Sequence, residues 1–166
     1  MKKKADIVVI GCGNPWASDD GIGVMLCKEL ERRFPGQATF VTMPFPGVEL
    51  LDYLEQCSRL ILIDAVVSGS APGTLHVMPL HLHNIDDRQL LEVSSHGLSI
   101  IDLLDLAANL NMALPELTLW GIEIARTEWG PDLSPELQHH LPALIRRAEK
   151  EFRRLLSRIN EGLGHL

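Results

Sequence analysis

Short apolar runs rich in β-branched residues alternate along the chain with segments whose apolar residues recur every three or four positions. The short runs are typical of buried strands, and the spaced segments are typical of helices. The predicted strands are Ala5 to Ile10, Ala38 to Met43, Arg59 to Val67, Thr74 to Met78 and Leu117 to Ile124. The predicted helices are Asp20 to Phe34, Val48 to Cys57, Leu98 to Leu110 and Ser134 to Ile159.

Prolines and glycines between these segments predict where they begin and end. The turn Ala71-Pro72-Gly73 favours antiparallel pairing of the strand that follows it. Pro135 suits the first turn of the last helix with Ser134 as its N-cap, and Pro142 is expected either to bend or to split that helix. The alternation predicts an α/β fold: a three-layer αβα arrangement around a mainly parallel twisted sheet of about five strands, one of them favoured to be antiparallel.

Length and composition add limits to this picture. The 166 residues suit a single domain over residues 1–166, and 46% hydrophobic with 22% charged residues is typical of a globular protein. The net charge of −7 and the lack of a broad basic face make nucleic acid an unexpected partner. The sequence is compatible with a monomer or a weak homo-oligomer.

The location of the protein is predicted from its apolar runs and its cysteines. No run reaches the roughly 20 apolar residues that cross a bilayer, so no membrane partner is expected. The Lys-rich start passes into a strand and a glycine turn rather than an export signal. The three cysteines lack any Cys-x-x-Cys spacing, which indicates reduced thiols and a cytoplasmic protein.

Polar side chains that could carry chemistry follow the predicted strands. Asp19 and Asp20 come after the first strand and its glycine turn, Asp64 ends an aliphatic run, Glu123 ends the last strand, and His96 begins a helix. Functional groups of open α/β sheets gather where the strands end. Two carboxylates and an imidazole in one crevice would suit a borderline divalent metal such as nickel or zinc, with coordination positions left open for a substrate.

Each of these residues also has a structural interpretation. Asp19 and Asp20 could cap the first helix, and His96 could simply begin a helix. Asp64 is harder to explain in this way, because an acid after four buried aliphatic residues needs a partner or a function. Cys12 could be a nucleophile with His96 as its base, although a buried structural thiol is the simpler interpretation.

Three further patterns are better explained without a functional role. The glycine turn lacks the third glycine of a dinucleotide fingerprint, has Trp16 in its place and is followed by acidic residues that would repel phosphate. A histidine group could form a second metal site, but surface positions explain it more simply; its members are His76, His81 and His83. Trp120 and Trp129 are expected to be packing groups.

Five motifs in order resemble those of the hydrogenase maturation endopeptidases and cover nearly the whole chain. They are Ile10-Gly11-Cys12-Gly13-Asn14 with Asp19-Asp20-Gly21-Ile22-Gly23, then Gly47-Val48-Glu49-Leu50-Leu51, Asp64-Ala65 with Ala71-Pro72-Gly73-Thr74, Ser95-His96, and Gly121-Ile122-Glu123. Two stretches depart from the family pattern. Met43-Pro44-Phe45-Pro46 replaces a common Asp-Gly-Gly-Thr in a loop expected to contact the substrate. The order Gly97-Leu98-Ser99 after His96 differs from the commoner placement of glycine in the family.

The resemblance implies a function and a set of site residues. It makes Asp20, Asp64 and His96 both the metal ligands and the catalytic residues. Asp19 and Glu123 are expected to orient them, because metal ligands need partners that hold them in position. It implies an endopeptidase that removes the C-terminal extension from the precursor of a [NiFe]-hydrogenase large subunit, with nickel arriving on that substrate. The alternative is a noncatalytic nickel-binding chaperone or sensor that uses the same three ligands.

Overall fold

The computed structural model describes residues 5–81 and 96–163, which form five strands, four α-helices and one 3-10 helix. The strands are β1 (Ala5–Cys12), β2 (Thr39–Met43), β3 (Cys57–Val66), β4 (Leu75–Leu80) and β5 (Glu116–Glu123). The α-helices are α1 (Ile22–Arg33), α2 (Leu50–Gln56), α3 (Gly97–Asn109) and α4 (Pro135–Leu163), and the 3-10 helix is Ser18–Gly21. The predicted elements are therefore all present, with ends that shift by a few residues.

The five strands form one mixed sheet in the order β2-β1-β3-β5-β4. All neighbouring pairs are parallel except β4 and β5, which are antiparallel. The predicted turn precedes β4, where the Thr74 N–H donates to the Ala71 carbonyl at 3.1 Å. The α/β prediction and the antiparallel pairing of β4 are confirmed. The carboxyl ends of β1, β2, β3 and β5 lie at the same edge of the sheet.

The sheet separates two hydrophobic cores because alternate residues of a strand face opposite sides. Every residue of β3 from Leu60 to Val66 is buried. Ile61 and Ile63 belong to the core beneath α1 and α4, whereas Leu60 and Leu62 belong to the core beneath α2 and α3. Helices therefore cover both faces of the sheet, as the three-layer prediction requires.

Two expectations about the last part of the chain need correction. α4 runs through Pro142 as one helix, so of the two effects expected of this proline the split is wrong. Ser134 does cap the helix, accepting the Leu137 N–H at 3.2 Å. Trp120 is buried at 2% exposure, but Trp129 is 84% exposed in the loop after β5 and is not a packing group. Within residues 5–81 and 96–163, none of the helices has the length and apolar character needed to span a bilayer.

Candidate active site

Asp20 lies in the 3-10 helix after β1, not at the start of an α-helix. α1 begins only at Ile22, and its N-cap position is Gly21 with no side-chain cap, so the capping interpretation of Asp20 is wrong. The Asp20 Oδ2 instead accepts the backbone N–H of Asn14 at 2.9 Å. The turn folds back tightly here: Gly13 has a φ of +124°, and a Cβ at that position would overlap the Asp20 carbonyl oxygen.

Asp64 lies near the carboxyl end of the central strand and is fully buried. Its neighbour across the sheet is Gly121 of β5. A buried carboxylate needs hydrogen-bond donors, because loss of its hydration is costly. The N–H of Ala65 donates to Asp64 Oδ1 at 2.9 Å, and the remaining donors described come from His96.

His96 occupies the N-cap position of α3 and faces Asp64. Its backbone N–H donates to Asp64 Oδ2 at 3.1 Å, and its ring Nδ1 lies 3.1 Å from Asp64 Oδ1. The hydrogen bond with Asp64 raises the pKa of His96, and the negative charges of Asp64 and Asp20 raise it further. Burial of the ring lowers the pKa, but the net shift is upward. His96 is therefore held by two contacts with one carboxylate, one from its backbone and one from its ring, and the ring carries a proton more readily than that of a free histidine.

The structure brings Asp20, Asp64 and His96 together. One ligand atom from each residue lies within 4.8 Å of the others, and these residues form the only such cluster of possible metal ligands within residues 5–81 and 96–163. Two carboxylate oxygens and one imidazole nitrogen make a donor set that borderline divalent ions accept. The side chains of Asp64 and His96 are 0% and 14% exposed, so the cluster lies below the surface of the sheet edge.

Asp19 has a different role from its neighbour. Its Oδ2 accepts the N–H groups of Ala125 and Arg126, both at 3.0 Å, and the Ser134 hydroxyl at 2.8 Å, while Oδ1 accepts the Ser134 N–H at 2.7 Å. Asp19 thus joins the loop after β5 and the start of α4 to the 3-10 helix. It neither caps α1 nor hydrogen-bonds to Asp20, so the expectation that it orients a ligand through direct contact is wrong.

Glu123 is likewise separate from the cluster. Its carboxylate accepts the Ser68 hydroxyl at 2.7 Å and the N–H groups of Ser68 and Gly69 at 2.8 and 2.9 Å, and it lies 3.3 Å from the ring of His76. Burial raises the pKa of Glu123, but these hydrogen bonds outweigh it and the net pKa is lowered. Glu123 therefore orders the loop that follows β3, and its contact with His76 explains that histidine without a second metal site. His83 lies outside the described residues.

Cys12 is close to the cluster but is not suited to nucleophilic attack. The side chain is completely buried. Burial, followed by the negative charges of Asp64, Cys27 and Asp20, raises the pKa of the Cys12 thiol well above its usual value. Because a thiolate is required for cysteine catalysis, the packing interpretation of Cys12 is the one that the structure supports.

One residue beside the cluster was not singled out from the sequence. The ring of Phe45 lies edge-on to the His96 ring, with centroids 6.2 Å apart, although 65% of Phe45 is exposed. It belongs to the loop after β2 that was expected to contact a substrate. An aromatic residue between two prolines at the carboxyl end of a strand is the signal that could have identified it.

Comparison with known proteins agrees with this architecture. The family model for hydrogenase maturation protease matches residues 24–151. The hydrogenase 2 maturation protease of Escherichia coli is 31% identical over 142 residues, covering 83% of this chain and 85% of the relative. The hydrogenase expression/formation protein HupM of Azotobacter chroococcum is 35% identical over 149 residues, covering 84% of this chain and 68% of the relative.

One solved structure is similar over most of this chain. The hydrogenase maturating endopeptidase HybD from E. coli has a TM-score of 0.70 and 25% identity, covering 90% of this chain and 93% of that chain. The family model alone spans well over half of the sequence, and the shared fold includes the mixed five-stranded sheet. The chain belongs to the hydrogenase maturation protease family, whose members are hydrolases.

Proposed function

We propose that this chain is an endopeptidase that removes the C-terminal extension of a [NiFe]-hydrogenase large-subunit precursor and recognises the nickel bound to that precursor. The observation that carries the proposal is the convergence of Asp20, Asp64 and His96 within 4.8 Å at the carboxyl edge of the sheet. Membership of the protease family supports the hydrolytic reaction, and the donor set supports recognition of a metal.

The donor set favours nickel that belongs to the substrate rather than to the enzyme. Three side chains leave coordination positions open, and none of the three is a thiolate. A site in the precursor with thiolate ligands would hold nickel more tightly than two carboxylates and an imidazole. Contact between the cluster and the bound nickel would then restrict cleavage to a precursor that has already received its metal.

Hydrolysis of the peptide bond can follow either of two routes at this cluster. The substrate's nickel could polarise the scissile carbonyl or activate the attacking water, or a carboxylate could act as the general base. The hydrogen bonds favour Asp20 for the second role. Asp64 already accepts three described hydrogen bonds, whereas Asp20 accepts one, from Asn14, and so has more capacity to orient a water.

A reduced, cytoplasmic setting fits the thiols of this chain. Cys12, Cys27 and Cys57 are all buried, and none of them forms a disulfide. Disulfides are rare where glutathione keeps thiols reduced, and three buried cysteines without disulfides are typical of such a compartment. We therefore assign the processing reaction to the cytoplasm.

Mass spectrometry of the precursor tests the peptidase proposal against the noncatalytic alternative. The nickel-loaded large subunit of the same organism is incubated with the wild-type protein and with Asp64→Asn. A peptidase produces one defined loss of mass at the C-terminus in the wild-type reaction alone. A chaperone or sensor would bind nickel or the precursor and leave the mass unchanged.

A further inference from the structure

Exposed apolar side chains are concentrated at the edge of the sheet that carries the Asp20, Asp64 and His96 cluster. Five large apolar residues lie in the segments that follow the carboxyl ends of β1, β2, β3 and β5. We call these five residues the apolar rim: Trp16 (60% exposed), Phe45 (65%), Val48 (68%), Val67 (65%) and Trp129 (84%). Large exposed apolar groups gathered in one region mark an interaction surface, whereas single ones need no explanation.

Hydrogen bonds between the loops fix the rim to the cluster. The Trp16 N–H donates to the side chain of Asn14 at 3.0 Å, and the Asn14 N–H donates to Asp20. The Phe45 ring faces the His96 ring. One rim residue, Phe45, is therefore next to a cluster side chain, and another, Trp16, is linked to Asp20 through Asn14.

The loops are also joined to one another. The Gly130 N–H donates to the Trp16 carbonyl at 2.8 Å, and the Ser18 N–H donates to the Gly130 carbonyl at 2.8 Å, which ties the Trp129 loop to the loop after β1. The Gly13 N–H donates to the Pro44 carbonyl at 3.3 Å, which ties the same loop to the Phe45 loop. These bonds use backbone atoms, so they fix the loops that carry the aromatic residues and leave the aromatic side chains exposed to a partner.

We infer that the apolar rim docks an extended segment of the precursor on either side of its scissile bond, an inference that rests on the proposed function. A partner must bring a peptide bond to a cluster that lies below the surface, which a projecting chain segment can do and a flat surface cannot. Apolar side chains of that segment would lie against Trp16 and Trp129 on one side and Phe45 on the other. Tryptophans are enriched among residues that contribute most to binding at protein interfaces.

The test compares processing kinetics of the wild type, the double variant Trp16→Ala/Trp129→Ala and the control Leu110→Ala. Leu110 is 59% exposed and lies after the last turn of α3, at the opposite end of that helix from His96. We expect the double variant to raise KM at least tenfold, which corresponds to about 1.4 kcal/mol of binding free energy. The kcat should stay within about twofold of the wild type, because contacts away from the reacting atoms stabilise the bound substrate and the transition state equally. Leu110→Ala should match the wild type.

Direct binding of the nickel-loaded precursor, measured by biolayer interferometry, separates the two proposals. If the wild type binds without cleaving and the double variant binds at least tenfold more weakly, the rim is supported and the peptidase proposal fails. An unchanged KM or Kd in a double variant with a native circular dichroism spectrum overturns the rim. A wild-type protein that neither binds nor cleaves the precursor overturns both the peptidase proposal and the docking role of the rim. If the protein self-associates through Trp16 and Trp129 while KM is unchanged, the surface binds a second copy of the chain, and the inference is also overturned.

Discussion

Two adjacent carboxylates should respond very differently to the same substitution. Asp19 is fully buried and accepts four hydrogen bonds, from the N–H groups of Ala125 and Arg126 and from the N–H and hydroxyl of Ser134. Asp20 accepts one backbone N–H. Asp19→Asn should therefore destabilise the fold while Asp20→Asn leaves it almost intact, although the two changes are chemically identical.

The size of the effect follows from the four contacts. In the least disruptive orientation the new amide nitrogen replaces Oδ1 and faces the Ser134 N–H, so one charge-assisted hydrogen bond worth about 1.5–3 kcal/mol is lost. The three bonds to Oδ2 lose their charge assistance, and removal of a buried charge offsets part of that loss. We expect a net loss of about 2–4 kcal/mol for Asp19→Asn, and a fall in Tm of roughly 4–16 °C.

Urea unfolding followed by circular dichroism measures the difference directly. Asp20→Asn is the matched control and should lose less than about 1.5 kcal/mol, because an asparagine oxygen can still accept the single N–H from Asn14. Thermal unfolding of both variants gives an independent comparison. Equal loss of stability in the two variants, or a loss below about 1 kcal/mol for Asp19→Asn, would refute the division between a structural and a functional aspartate.

Four other outcomes are expected. Asp64→Asn should keep the circular dichroism spectrum, because an amide oxygen in the Oδ1 position can still accept the Ala65 N–H and face the His96 ring, while processing falls by about two orders of magnitude or more. Cys12→Ala should still process the precursor, and complete inactivity in a folded Cys12→Ala protein would restore the nucleophile hypothesis. The protein purified without chelator should be largely metal-free by elemental analysis; a stoichiometric metal would argue for a resident ion. Since His96 must be neutral to bind a metal and its hydrogen bond with Asp64 raises its pKa, nickel affinity measured by calorimetry should fall as the pH drops through the raised imidazole pKa, starting at a higher pH than for a free histidine, and this fall should be weaker in His96→Ala.

The parts of the fold that the sequence predicted are those set by local pattern. The run from Leu60 to Ile63 is buried on both faces, so its strand and the position of Asp64 at the carboxyl end could be predicted. Parallel strands end at one edge, which is why the convergence of Asp64 with the residues after β1 could also be expected. The Pro-Gly turn similarly predicted the antiparallel pairing of β4.

The parts that the sequence did not predict depend on contacts between distant residues. The 3-10 turn around Asp20 is held by the bond from Ser18 to Gly130, and Asp19 finds its partners more than a hundred residues later in the chain. The local sequence pattern suggested that Asp19 and Asp20 cap a helix, because contacts between residues far apart in the chain cannot be read from local sequence. Pro142 removes one hydrogen bond from α4, but the apolar face of that helix packs on the sheet and the helix continues.

Cleavage of matched precursors tests most directly whether the cluster recognises the nickel of the substrate. Nickel-loaded and nickel-free forms of the same large-subunit precursor are each incubated with the wild type and with His96→Ala, and the products are weighed by intact mass spectrometry. We predict a defined C-terminal loss only when the wild type meets the nickel-loaded form. Equal shortening of the nickel-free precursor, or full activity of His96→Ala on the loaded one, would contradict the account.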